Sequence, residues 1–284
     1  MHTEVMITRW EGSHSRSAAD SVAEEEPLEI RINGESLAVT MRTTGDDFDL
    51  AAGFLFAEGI VRESDEILSM AYCMDPANPD MRNIVNVYLR AGWDSDKDPA
   101  NWERRFTSTS SCGLCGKARI EAVACLSPPL PASGFKVSPD LLCSLPELMR
   151  SAQQAFDRTG GLHAAGLFDS TGRLLVLRED VGRHNAVDKV VGNELLKERL
   201  PLSDRILMVS GRASFEIMQK AAVSRTPVVC AVSAPSSLAV QLARDLNITL
   251  VGFLREDRMN IYAAPDRVRC CAPAPVRRRL PPAI

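Results

Sequence analysis

The chain has 284 residues, of which 45% are hydrophobic and 25% charged, with a formal net charge of −4. That is enough apolar material for one large or two modest cores, and the acidic balance argues against DNA as a partner, because phosphate binding usually leaves a basic footprint. No apolar stretch is long enough to span a bilayer, and residues 1–26 are polar with no signal-peptide core, so the chain reads as cytoplasmic with no membrane partner. Its eight cysteines are sparse for a disulfide scaffold, and free or reactive thiols are the default expectation.

In chain order, residues 1–26, which end in Glu24-Glu25-Glu26, are expected to be disordered. Structure starts near Glu29. Ile30 and Ile32 alternate with polar residues up to Asn33-Gly34, and Leu37, Val39 and Met41 alternate beyond it. Asn-Gly between two alternating runs predicts a hairpin. Asp46 or Asp47 can cap a helix carrying Leu50, Phe54 and Leu55, stopped at Gly59. A strand is predicted at 84–89. These elements make a small α+β domain over 27–134, with an exposed cysteine loop at 107–118 inside an irregular connector.

Ser138-Pro139 opens the next helix, which runs to Phe156, broken at Pro146, and stops at Gly160-Gly161. Short strands follow at 164–168 and 174–177, then a helix from about Asn185. After it come strand 206–209, helix 213–223, strand 228–232, helix 237–246 and strand 248–253. Strand–helix alternation implies a layered α/β sheet over 135–271, and a Pro- and Arg-rich flexible tail fills 272–284.

Cys112-Gly113-Leu114-Cys115 is the sharpest chemical feature. A sulfur carrier needs a thiolate that a donor can reach. The flanking glycines leave both sulfurs uncrowded, and Lys117 and Arg119 favour the thiolate. Other readings stand beside this one. Half a zinc site would need a second ligand pair, and no other C-x-x-C occurs. A thioredoxin-type pair would need a strand-to-helix setting, whereas a Ser/Thr run precedes this one. A structural disulfide and inert loop cysteines complete the set.

Three strand ends suggest an anion pocket. Ser210-Gly211-Arg212 and Ala234-Pro235-Ser236-Ser237 each link a strand to a helix, where free N–H groups attract phosphate; plain capping by serine is the simpler alternative. Phe253-Leu254-Arg255-Glu256-Asp257-Arg258 ends the last core strand, and its two arginines could grip phosphate or stack on a base; a solvated charged turn is the alternative. Ligands of open α/β sheets gather at the carboxyl ends of strands. Gly211, Arg212, Ser236, Ser237, Arg255 and Arg258 are therefore expected to line one cleft open towards the Cys112 loop. No Walker A loop is present. The turn from Glu179 to Asn185 could present Asp180, Arg183 and His184 to a ligand, or could be a charged turn capped by Asp180 or Asn185. His163, after Gly160-Gly161-Leu162, is a further loop histidine with no role assigned by its sequence context.

Taken together, SSCGLCG (110–116), GGLHAAGLF (160–168), REDVGRHNAVDKVVG (178–192), SGRASFEIMQKAA (210–222), SAPSSLAVQLA (233–243) and GFLREDRMNIY (252–262) resemble the FdhD family of formate dehydrogenase accessory sulfurtransferases. The resemblance implies a protein that takes persulfide sulfur from a cysteine desulfurase. It passes that sulfur to the molybdenum of a bis-molybdopterin guanine dinucleotide cofactor, before the formate dehydrogenase catalytic subunit is loaded. By position Cys112 would carry the persulfide and Cys115 accompany it. The segment 253–258 would contact the cofactor, with Leu254, Glu256 and Asp257 contributing backbone more than side chain, and GDP would mimic the cargo. The resemblance also implies a homodimer and a cytidine-deaminase-like three-layer α/β/α C-terminal domain. That fold makes a zinc deaminase a rival, but neither H-x-E nor P-C-x-x-C occurs, and no metal, zinc included, is expected. A dithiol oxidoreductase and a non-catalytic molybdenum-cofactor or guanine-nucleotide binding chaperone are the remaining alternatives.

Overall fold

The computed structural model describes residues 2–73, 82–90, 127–132 and 134–269. The tail expected at 272–284 and most of the 91–134 connector, the cysteine loop included, lie outside them.

The first element is a correction. Residues expected to be disordered form an antiparallel hairpin of β1 (His2–Glu11) and β2 (His14–Ala23), in register from His2↔Ala23 to Glu11↔His14. Gly12 closes the turn at φ 64, a conformation that costs glycine little. The ladder satisfies the backbone without a deep core, which is why a polar composition concealed it. The hairpin leans on the helix at 154–159, where Ala23 sits beside Gly161.

β3 (Glu26–Ile32) and β4 (Glu35–Arg42) form the hairpin predicted from Asn33-Gly34. Both turn residues have positive φ, 50 and 95, as a type I′ turn requires. Leu37, Val39 and Met41 alternate in sequence, but of the three only Leu37 is buried. A bulge between Ile30 and Arg31 shifts the register, so Ala38 and Thr40 pair with Ile30 and Leu28 while Val39 and Met41 face solvent, 66% and 47% exposed. One extra residue reverses the facing of everything after it. β5 (Ile67–Tyr72) and β6 (Ile84–Leu89) complete a four-stranded sheet in the order β4-β3-β6-β5, with β3 and β6 parallel.

Helix α1 (Asp47–Ala57) covers this sheet. Neither aspartate caps it with its side chain: Asp46 is the N-cap, in a left-handed conformation. Asp47 is instead buried in an ion pair with Arg42 at 2.9 Å and accepts from Tyr72 Oη at 3.1 Å.

The helix predicted to break at Pro146 does not. α2 (Pro139–Ala152) runs through that proline, and the interruption falls at Gln153 before α3 (Gln154–Thr159). Gly160, at φ 64, ends α3.

A six-stranded mixed sheet follows, in the order β12-β11-β10-β9-β7-β8. Its strands are β7 (His163–Phe168), β8 (Leu174–Asp180), β9 (Ile206–Val209), β10 (Val228–Ala231), β11 (Thr249–Gly252) and β12 (Asn260–Ala263). β9, β10 and β11 are parallel, and β7, β8 and β12 run against their neighbours. Helices α4 (Arg183–Leu196), α5 (Phe215–Val223) and α6 (Ser237–Asp245) lie on one face. There Leu207, Val209, Val229 and Leu250 meet them. The alternate residues Ile206, Met208, Val228, Cys230 and Val251 meet α2 on the other face. This period-two division gives the helix–sheet–helix layers of an α/β fold.

The small sheet is not a separate body. Its core residues Leu28, Ile30, Val85 and Val87 belong to the same apolar cluster as α4, α5 and α6. The joint is the crossing of α1 and α4 at Gly53 and Gly192. A Cβ on Gly53 would stand 1.9 Å from the Asp188 carbonyl oxygen, and one on Gly192 1.9 Å from that of Asp49. Among the described residues no helix is long and apolar enough to cross a membrane.

Candidate functional site

The carboxyl ends of the three parallel strands stand side by side, and their loops are stitched together. Ser233 N donates to Gly211 O, Ser236 N to Ala213 O, and Phe253 N to Ser233 O. Gly211, Arg212, Ser236, Ser237 and the 253–258 loop therefore lie along one sheet edge, as their position after β9, β10 and β11 dictates.

A cavity of about 670 Å³ opens at this edge, within the usual range for small-molecule sites. Its walls include Leu162, His163, Ser210, Val232, Leu254, Arg255 and Glu256 from strand ends, and Met149, Arg150, Gln153 and Phe156 from α2 and α3. The helical wall has no motif and was not found from sequence. Gln153 is buried at the point where the helix breaks, a burial that only the fold reveals. Arg150 lies over the Phe156 ring at 4.7 Å. A second cavity of about 740 Å³ lies at the far ends of α4 and α5, beside Leu195, Pro201 and Val223, away from the strand-end loops.

The expected cleft residues divide. Arg255 lines the cavity, where Nη1 donates to Val232 O at 2.6 Å and Leu254 O at 2.8 Å, and its N–H donates to Arg258 O. Glu256 lines it too. Leu254 sends its side chain into the core on the α2 face, fully buried, and its N–H to Ala231 O. Phe253 is 43% exposed at φ 51, and Asp257 and Arg258 are exposed further along the loop. Ser236 caps α6, accepting from Ala239 N at 3.2 Å, and Ser237 is exposed at the first position of that helix. None of these last five is among the residues that line the cavity.

The turn after β8 is more specialised than its sequence suggested. Asp180 is fully buried. It pairs with Lys189 at 2.7 Å and accepts from Thr43 N, Gly182 N and Asn185 Nδ2. It therefore anchors the turn and faces no ligand. α4 begins at Arg183, two residues earlier than Asn185. His184 Nε2 lies 2.9 Å from Ser214 Oγ and 2.8 Å from Glu216 Oε2, which ties α4 to the loop after β9. Among the described residues, Arg183 Nε is buried without a hydrogen-bond partner.

His163 occupies the first position of β7, where Ala164 N donates to Ser210 Oγ and Ser210 N to Ala164 O. Burial holds its imidazole below the ordinary histidine range, and Arg183, His184 and Arg212 push it further the same way against a smaller opposing effect of Asp180. The lowered value favours the neutral ring, in which one nitrogen donates and the other accepts. Cys112 and Cys115 lie outside the described residues. Among those described, Cys230 is fully buried and its thiol is pushed up by that burial, so it is no nucleophile.

The model of the FdhD/NarQ family matches residues 23–269. Sulfur carrier protein FdhD of Streptomyces avermitilis is 52% identical over 263 residues, covering 90% of this chain and 91% of that one. The protein of the same name from Mycobacterium tuberculosis is 49% identical over 256 residues, 88% of this chain and 92% of the other. A crystal structure from Desulfotalea psychrophila, provisionally described as a formate dehydrogenase accessory protein, superposes with a TM-score of 0.73. Its identity is 27%, and the match covers 94% of this chain and 99% of that one.

Proposed function

The chain belongs to the FdhD/NarQ family, and from that premise we propose that it is a sulfur carrier serving formate dehydrogenase maturation. The observation that carries the reading is the half identity, over nine-tenths of the chain, to proteins named as sulfur carriers. In finer terms, Cys112 receives sulfur from a cysteine desulfurase as a persulfide, with Cys115 beside it in sequence. The sulfur is delivered to the molybdenum of a bis-molybdopterin guanine dinucleotide cofactor, the cargo, before the dehydrogenase subunit takes it up. The cavity at the sheet's carboxyl edge supports the docking half of this reading. It has an apolar floor of Met149, Leu162, Val232 and Leu254 and polar groups at Gln153, His163, Ser210 and Arg255, a composition suited to a heterocycle with a charged tail. The protein acts in the cytoplasm as a homodimer on this account.

Intact-protein mass after incubation with a cysteine desulfurase and cysteine tests it. The wild type should gain one sulfur atom that a thiol reductant removes, and Cys112→Ala should gain none while keeping its circular dichroism. A loss of two hydrogen atoms in place of a sulfur gain, the mass change of a disulfide, would make the cysteine pair a redox dithiol and overturn the carrier reading. So would full maturation of formate dehydrogenase by Cys112→Ala.

A further inference from the structure

The amino-terminal hairpin presents an unpaired strand. β1 and β2 form a sheet of two strands only, and such a ribbon is marginal in water unless a third strand or a broad packed face supports it. Its turn has two residues, Gly12 at positive φ and Ser13. Glu11 and His14 are therefore a hydrogen-bonded pair, and the odd-numbered residues of β1 point their N–H and C=O groups at β2. Those of Glu4, Met6, Thr8 and Trp10 point the other way, and among the described residues no backbone hydrogen bond reaches them. The result is a free edge ten residues long, about twice the usual strand length. β2 is the poorer edge. Ser15, Ser17, Ala19 and Ser21 along it are small, and β2 is the strand that leads into the body at Ala23, beside Gly161. β1 instead carries Val5, Met6, Ile7, Thr8 and Trp10, with no lysine or proline to block pairing. Met6 and Trp10 share one face of the hairpin and are 71% and 68% exposed.

We infer that the outer edge of β1 pairs with β1 of a second copy of this chain, antiparallel about a two-fold axis normal to the sheet, to make a four-stranded sheet in the order β2-β1-β1-β2. The inference rests on the homodimer in the function proposed above and names the surface that forms it. Rows of free N–H and C=O groups call for a strand as occupant, and the side chains of β1 suit their own copy. A two-fold axis at Met6 uses the whole strand. Met6 of one copy then meets Met6 of the other, Val5 meets Ile7, Glu4 meets Thr8, Arg9 meets Thr3 and Trp10 meets His2. Apolar residues oppose each other at the centre, and no two like charges stand opposite. A shift of two residues either way sets Val5 against Arg9 or Met6 against Glu4, and shortens the ladder. Because the same patch serves both copies, the contact closes on itself as a dimer.

Sedimentation velocity and native mass spectrometry on the full chain test the pairing. The wild type should be a dimer. Met6→Lys and Met6→Glu, at an exposed position, each set like charges against each other at the two-fold axis and should weaken dimerisation about tenfold. An equimolar mixture of the two should recover a tight dimer with one copy of each. Thr8→Pro removes an outward N–H that the hairpin itself does not use, and it should weaken the dimer without any change of charge. A monomeric wild type would overturn the pairing and the homodimer together. Dimers as tight as wild type in Met6→Lys, Met6→Glu and Thr8→Pro would overturn the pairing alone, leaving the homodimer to another surface. Weakened Met6 variants that do not recover on mixing would also overturn it, since a two-fold axis at residue 6 brings the lysine and the glutamate together.

Discussion

At the scale of single residues, the site is defined by which charges are satisfied and which are not. Asp180 and Lys189 saturate each other inside the protein, so neither was recognisable as structural from a turn that reads simply as acidic and basic. His163 is the converse. Its place in sequence, after two glycines, carries no functional signal, and only the fold brings it against Gly211 and Arg183. Its imidazole should titrate below the ordinary histidine value, burial being the larger cause and the neighbouring Arg183, His184 and Arg212 the lesser. A depressed histidine contributes stability that is present above the unfolded-state value near pH 6.5 and is lost as pH falls through the folded value. Proton NMR of the ring across pH 4–8 should show this displacement, and Arg183→Met should move the midpoint upward. A midpoint at or above that of the other histidines would mean that the ring is not held against the arginines.

At the scale of elements, the legible parts are those whose signal is local. Asn33-Gly34 specified its turn, and strand 84–89 and strand 206–209 fall where their β-branched runs put them. Gly160 marks the end of α3 because only a left-handed residue fits there. The illegible parts depend on long-range packing. The bulge that turns Val39 outward is invisible in an alternating sequence, and Pro146 is tolerated in α2 although the pattern suggests a break. Gly53 and Gly192 are the clearest case. In sequence each resembles a mild flaw in a helix, worth up to about 1 kcal/mol if replaced by alanine. In the structure each meets the opposing backbone at a distance no Cβ could accept. Gly192→Ala should therefore destabilise by roughly 2–3 kcal/mol, the overpacking cost exceeding the helix-propensity gain. Urea denaturation should show it as a fall in midpoint, and a rise would mean that α1 can move aside.

At the scale of the whole molecule, the sequence reading found the α/β layering and the strand-end loops but not the α2–α3 wall of the cavity, since no motif marks residues that matter only by facing a pocket. It also missed the amino-terminal hairpin, whose stability comes from its ladder and one flank. Met6 and Trp10 are 71% and 68% exposed on it, and the family match begins only at its last strand residue. Removing residues 2–23 should leave the cooperative transition of the remainder intact and lower its midpoint by less than about 4 °C, equivalent to roughly 1 kcal/mol. A broad or much earlier thermal transition would show that the hairpin is part of the cooperative unit.

The glycine crossing between α1 and α4 also bears on how such a protein can be recombined. Since one apolar cluster runs through it from the small sheet to the large one, neither half has a closed surface to offer as an independent module. A hybrid joined near residue 134 from two relatives would meet along a backbone-to-backbone seam, with almost no side-chain volume to absorb a mismatch. Such a seam constrains the two halves to diverge together, and graft experiments that keep both glycines should yield soluble chimeras where those that replace either one do not.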